Sequence, residues 1–217
     1  MPKTRLAERT DFLPLPKDEP LELAWPTGNR TLFKTPEFFT ARTRINPSYG
    51  MPGWTRDCGK RFHRGCDIAP LATRRAGVKV KVVFTDCATG KDFVSDEPVL
   101  LPGEDIYAAA EGIIFEVNRD EAASDFGIFV VIRHTWPKSD KPFYSLYAHL
   151  AAATVAEGDA VEAGGHIGVM GNTSRNKDAK NWMLVAPHLH FEVWNESGEP
   201  YDPLEFLRIF LAKQSDG

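Results

Sequence analysis

From Ile106 onward apolar and polar residues alternate in short runs, and no helical repeat separates them. Alternation with period two puts successive side chains on opposite faces of a pleated strand. The runs predict strands at Ile106–Ala109, Gly112–Val117, Ile128–His134, Phe143–Leu150, Thr154–Ala156, Ala160–Ala163, His166–Met170 and His188–Trp194, punctuated by Gly and Asp/Asn clusters. Such a series indicates a mainly β chain built as an antiparallel sheet or sandwich. One helix is predicted at the end, where Asp202 as N-cap, Pro203 at N1 and Glu205 at N3 form a capping box, and Leu204, Leu207 and Leu211 follow at helical spacing. Its role is to cover the sheet.

The first half of the chain is less regular. Met1–Arg30 carries mixed charges with Pro14, Pro16, Pro20 and Pro26 among them, and reads as an extended arm pinned to the domain by Phe12, Leu13, Leu15, Leu21, Leu23 and Trp25. It contains no 7–15-residue apolar run and does not read as a signal peptide as it stands. In Thr31–Lys60, aromatics are interspersed with Pro36, Pro47, Pro52 and Gly53, which suits a loop packed beside a site. The expected division is therefore an arm and irregular segment over 1–60 and a domain over 61–217. Within the domain, Val78–Phe84 alternates, Thr89–Asp92 signals a turn and Val99–Leu101 follows, so Ala69–Asp105 reads as containing an inserted hairpin.

A hydrophobic content of 42% with 11% aromatics excludes wholesale disorder. A net charge of −4 argues against a nucleic-acid binder driven by phosphate contacts. No apolar run approaches the ~18 residues of a membrane span. The three cysteines, Cys58, Cys66 and Cys87, fit no zinc-ribbon spacing and are compatible with one disulfide plus one thiol or with three thiols.

Candidate chemistry gathers in three segments. In Ala186–Glu192 a strand places His188 and His190 on one face, roughly 6–7 Å apart along the chain. In isolation such a pair is as readily a pair of solvated histidines. Phe62–Ile68 adds His63 and Asp67 on an extended or turning segment containing Gly65, and Tyr147-Ala148-His149-Leu150 ends a strand with another His. Hydrolytic zinc needs about three protein ligands and an open position, together with residues that move protons. Four His and one Asp meet that requirement.

In order, His-x-x-x-Asp, Tyr-x-His-Leu and His-x-His resemble the zinc metallopeptidases of the lysostaphin/LytM type, family M23. Gly112-Ile113-Ile114, Gly127–His134, the glycines and valines of Val155–Gly164, Ile167-Gly168, Gly171-Asn172-Thr173 and Asp202-Pro203 fall in the same order. The resemblance implies the LytM-type β fold, one Zn2+ per chain held by His63, Asp67 and His190, and His149 and His188 as unliganded catalytic residues. It implies hydrolysis of peptidoglycan stem or cross-bridge peptides, hence a periplasmic, secreted or cell-wall location. Ala69–Asp105 and Arg175–Val185 are longer than the family's connections. Trp182 and Met183 in the second are candidates for substrate contact, and Tyr147 and Asn172 are further candidates beside the site. The family's upstream oxyanion-stabilising Tyr or His has no clear counterpart, Tyr49 and Trp54 being the nearest aromatics. Arg56, Lys60, Arg61 and Arg64 read as a solvated basic rim rather than a substrate-attracting patch, and His134 and His166 as outside the site. A non-catalytic cell-wall-binding or amidase-regulating module of the same fold is the alternative. It typically lacks several of the five side chains retained here. A non-haem iron triad, usually His-x-Asp, has no use for His149 and His188.

Overall fold

The computed structural model describes residues 10–29, 50–71, 74–101, 103–176 and 187–208. Its strands are β1 (Gly53–Arg56), β2 (Arg61–His63), β3 (Cys66–Ile68), β4 (Arg74–Thr85), β5 (Asp92–Leu101), β6 (Asp105–Tyr107), β7 (Gly112–Asn118), β8 (Ile128–Thr135), β9 (Pro142–Ala153), β10 (Ala160–Val161), β11 (His166–Met170), β12 (Leu189–Asn195) and β13 (Pro200–Tyr201). Among the described residues nine of them form one antiparallel sheet, ordered β10-β7-β8-β9-β11-β6, with β12 joining β9 to β3 and β13. The predicted mainly β, antiparallel class is what the chain adopts. Thr154–Ala156 is not a strand, because Asp159 captures the Ala156 N–H at 2.7 Å and turns the chain.

The alternation in the sequence sorts two faces. Val130 and Ile132 on β8, Tyr147 on β9, Phe191 and Val193 on β12, and Cys66 and Ile68 on β3 belong to the main core. Leu21, Leu23 and Trp25 from the N-terminal segment and Leu204, Phe206 and Leu207 from the last element cover it. Burying Leu21 and Leu23 stabilises the attachment by roughly 1.5–3 kcal/mol each. Hydrogen bonds from Ala24 N to Ala109 O (2.9 Å) and from Tyr107 N to Pro26 O (2.9 Å) fix its register. The opposite face buries Phe129, Val131, Leu146, Ala148 and Trp194.

The last element is helical over 203–208. Asp202 Oδ1 accepts from Leu204 N at 2.9 Å and Glu205 N at 3.4 Å, so the N-cap forms as expected. Glu205, however, pairs with Arg208 instead of closing the capping box. Leu211 lies outside the described residues, and among those no helix is long and apolar enough to cross a membrane.

Among the described residues β4 and β5 pair only with each other, as the inserted hairpin was expected to, although β5 starts at Asp92 rather than Val99. Asp86 shapes its turn by accepting from Ala88 N and Thr89 Oγ1. The turn is tied by a Cys87–Cys58 disulfide to the short helical turn after β1, and Cys66 is a buried free thiol. Two-stranded hairpins are marginal alone, so this covalent tie keeps the hairpin beside β1 and β2.

Candidate active site

β3 lies next to β12, and their register places Asp67 directly opposite His190. Both side chains emerge on the face opposite the main core, since Cys66, Ile68, Leu189 and Phe191 occupy that core. His63 ends β2, three residues before β3 begins, and completes the group. One ligand-type atom from each of His63, Asp67 and His190 lies within 4.8 Å of the others, and all three residues are buried. Gly65 permits this approach: a Cβ there would sit 2.7 Å from His190 Cε1 and from the Phe191 carbonyl. Gly65→Ala is accordingly expected to displace the His190 ring, lowering both melting temperature and metal affinity. Calorimetry with metal titration checks it, and unchanged affinity would show that the ring can relax without leaving the cluster.

Each side chain has an outer partner that selects the atom it turns inward. His63 Nδ1 donates to the Met51 carbonyl at 2.8 Å, leaving Nε2 inward, 3.3 Å from Asp67 Oδ1. His190 Nε2 meets Glu192 Oε1 at 2.8 Å, leaving Nδ1 inward, 3.0 Å from Asp67 Oδ1. Asp67 gives Oδ2 to Arg56. Two imidazole nitrogens and one carboxylate oxygen form a donor set that suits zinc or another divalent transition metal. Orientation of ligating imidazoles and carboxylates by outer hydrogen bonds is the usual arrangement at such centres.

Burial and charge act against each other here. Burial pushes the Asp67 carboxyl up, but Arg56 and His63 outweigh it and hold the group well below the usual carboxylate range. Burial pushes His190 down, yet its bonds to Asp67 and Glu192 raise it to about 9. For His63 burial prevails and its pKa is lowered. Burial, reinforced by the neighbouring His188 and His190, also depresses His149 well below the ordinary imidazole range.

His149 reaches the site through a bulge. Along β8 and β9 the register steps from Val130 opposite Tyr147 to Ile128 opposite Leu150, leaving an extra residue on β9. At this step β9 also exchanges one neighbour, pairing through Ala148 with β12 and through Leu150 with β11. His149 adopts φ 61°, a left-handed backbone that His tolerates better than most residues. The bulge re-aims its side chain. Its ring centroid lies 5.0 Å from His188 and 5.7 Å from His190, and its Nδ1 donates to the Thr173 carbonyl at 2.9 Å. His188 immediately precedes β12, with its N–H on the Gly171 carbonyl and its Nε2 3.9 Å from Asp67 Oδ1.

All five His and Asp side chains singled out from the sequence thus meet in one place. The other candidates fare differently. Tyr147 is fully buried in the main core, with its hydroxyl accepting from Ala109 N at 2.7 Å and lying 3.1 Å from Ser145 Oγ, so it is a packing residue rather than a substrate contact. Burial raises its pKa to about 12. His134 is buried beside it, with Nε2 2.7 Å from Ser145 Oγ and Nδ1 on the Glu111 carbonyl. Asn172 is half-buried, next to the Thr173 that holds His149. Trp182, Met183 and Tyr49 lie outside the described residues. His166 is partly exposed beside Asp105.

The basic-rim expectation holds for Lys60 and Arg61, which are exposed, and fails for the other two. Arg56 is buried on Asp67, and Arg64 is held by Glu192 at 3.4 Å and the Gly198 carbonyl at 2.7 Å. Glu192, Phe126 (ring centroid 5.6 Å from His190) and the Thr173 carbonyl were not anticipated. Glu192 was legible in principle, because it shares the strand face of His190 two residues on.

Comparison with known proteins adds the following. Residues 90–203, just over half of the chain, match the model of Peptidase family M23. That span contains His149, His188 and His190 and begins within the turn between β4 and β5, so His63 and Asp67 lie upstream of it. Over 91 residues the chain is 30% identical to the peptidoglycan DD-endopeptidase ShyA of Vibrio cholerae, covering 42% of this chain and 17% of that protein. The chain thus spans less than a fifth of that curated relative. Among solved structures, the catalytic domain of lysostaphin from Staphylococcus simulans is 25% identical, with a TM-score of 0.37, covering 50% of this chain and 80% of that one. A zinc-containing peptidase from Vibrio cholerae is 24% identical with a TM-score of 0.37, covering 59% and 35%.

Proposed function

The chain belongs to peptidase family M23, and from that premise we propose that it is a zinc-dependent endopeptidase hydrolysing peptide bonds of peptidoglycan stems or cross-bridges. The observation that carries the reading is the buried His63–Asp67–His190 cluster with the His149 and His188 rings beside it. His63 Nε2, Asp67 Oδ1 and His190 Nδ1 would hold the ion. When bound, zinc supplies Lewis-acid polarisation of the scissile carbonyl and a water acidified to near neutrality.

The protein's own groups do the rest. The Thr173 carbonyl fixes the His149 proton on Nδ1, so Nε2 is the nitrogen that accepts a proton. Burial, reinforced by His188 and His190, keeps that imidazole unprotonated at neutral pH and so free to accept a proton, as a weaker base than an exposed imidazole. His188, whose ring lies 5.0 Å from that of His149, would donate to the leaving nitrogen or hold the oxyanion. Phe126 walls the His190 side with an apolar ring and limits water access there. A peptidoglycan substrate places this activity outside the cytoplasm, at the cell wall.

Digestion of purified cell wall, with and without chelator, tests the proposal, with the released peptides sequenced. Chelator-sensitive release of free peptide ends is the expected result. Wall binding with no release would make the chain a binding module.

The hairpin β4–β5 and residues 175–185 are further proposed to narrow the range of walls cut, not to build the metal site. The hairpin is tied by Cys87 to the turn next to Arg56, near the exposed Trp54. It contributes no member of the metal cluster. Replacing residues 72–102 by a short turn should leave zinc binding intact while changing which walls are digested. A folded, trimmed chain that cannot hold zinc would overturn this.

A further inference from the structure

The cluster's two ionic outer partners have opposite sign. Arg56 Nη2 sits on Asp67 Oδ2 and 2.8 Å from His63 Nε2. Glu192 Oε1 sits 2.8 Å from His190 Nε2, and its other oxygen is 3.4 Å from Arg64 Nε. Arg64 is itself anchored on the Gly198 carbonyl at 2.7 Å. Arg56 and Glu192 are both buried, at 9% and 3% exposure.

We propose that Arg56 and Glu192 are opposed positioning residues that set how tightly the cluster holds a divalent cation, Glu192 strengthening the hold and Arg56 weakening it. The proposal rests on reading the cluster as a divalent-metal site.

Glu192 acts by holding the outer proton of His190. An ionised carboxylate only accepts, so Glu192 keeps the imidazole N–H on Nε2 when a metal displaces the proton that Nδ1 shares with Asp67. Strand geometry builds the pair, since residues 190 and 192 share one face of β12. Its negative charge adds to the attraction for a cation.

Arg56 acts through charge and competition. A guanidinium has five donors, no acceptor and a permanent charge. It withdraws negative charge from Asp67 and occupies the only lone pair of His63 Nε2, which can serve Arg56 or a metal but not both. Metal entry therefore has to move Arg56 off His63, leaving it on Asp67 Oδ2. In the metal-free chain the same contact offsets the cost of burying the Asp67 carboxylate, because a buried charge without a partner is strongly destabilising. Metal-free stability and metal affinity are set against each other in one side chain.

The test compares Zn2+ affinity of the whole chain, by competition with a chromophoric chelator, in wild type, E192Q, R56Q and R56K, alongside melting of the metal-free proteins. E192Q should weaken binding by about 10-fold or more, as outer partners of metal ligands typically do. R56Q keeps an amide donor for Asp67 but loses the charge, and should tighten binding by on the order of tenfold while lowering the metal-free melting temperature. R56K should stay at wild-type affinity, because it keeps the charge. General loosening of the site would weaken binding in both Gln variants and cannot produce shifts of opposite sign. Weaker binding in R56Q, or unchanged affinity in both, overturns the proposal. A wild type that binds no Zn2+ overturns the metal-site reading itself, whereas one that binds it with unaltered variants overturns this inference alone.

Discussion

A chain carrying His63→Ala and His190→Ala together is expected to retain no zinc after dialysis and to release no peptide from cell wall. The two imidazoles supply two of the three inward-facing atoms of the cluster. A lone carboxylate, with its second oxygen on Arg56, is a poor zinc site, since structural and catalytic zinc both call for three or four protein ligands. The double His variant is the cleaner choice, because removing Asp67 would break its buried ion pair with Arg56. Breaking a buried pair in that way costs about 3–5 kcal/mol and confuses metal loss with unfolding. Metal content by emission spectroscopy is read beside near-ultraviolet circular dichroism, so that loss of metal is scored on folded protein. Full zinc occupancy in the double variant would remove His63 and His190 from the ligand set.

What the sequence conveyed depends on how far each feature is a property of local alternation. The face shared by Asp67, His190, Leu146 and Trp194 follows from period-two counting within strands, and so did the mainly β class. His149 does not follow from counting. Strict alternation places it with Tyr147, which lies in the main core; the extra residue of the β9 bulge and its positive φ put it with His188 instead. Only the Tyr-x-His-Leu resemblance pointed to it. Arg56 was hidden for a related reason. Charged side chains are usually solvated, and nothing within residues 56–64 announces that Arg56 reaches across to a carboxylate eleven residues on. The Cys58–Cys87 pairing was equally out of reach, since it depends on how the hairpin folds back. Tyr147 was misjudged because strict alternation gives it the face of His149, whereas the β9 bulge between them parts the two side chains.

Catalysis and metal binding should separate at His149 and His188. If both carry protons and neither holds the ion, His149→Asn and His188→Ala should each keep stoichiometric zinc. Asn is the better replacement at 149, because the backbone there is left-handed with φ 61°. Ala would add about 1–2 kcal/mol of backbone strain, and Asn can still donate to the Thr173 carbonyl that His149 uses. Melting temperatures near wild type are therefore expected for both. Turnover on cell wall should nevertheless fall by about two orders of magnitude or more in each, the size of a lost general acid–base contribution. The double variant should lose less than the product of the two, because groups that act on one proton path are not additive. The two rings lie 5.0 Å apart, close enough to serve the same substrate bond. Zinc content decides the assignment: loss of the ion in His149→Asn would make His149 a ligand, and one of the three inward atoms of the present cluster would have to give up that role.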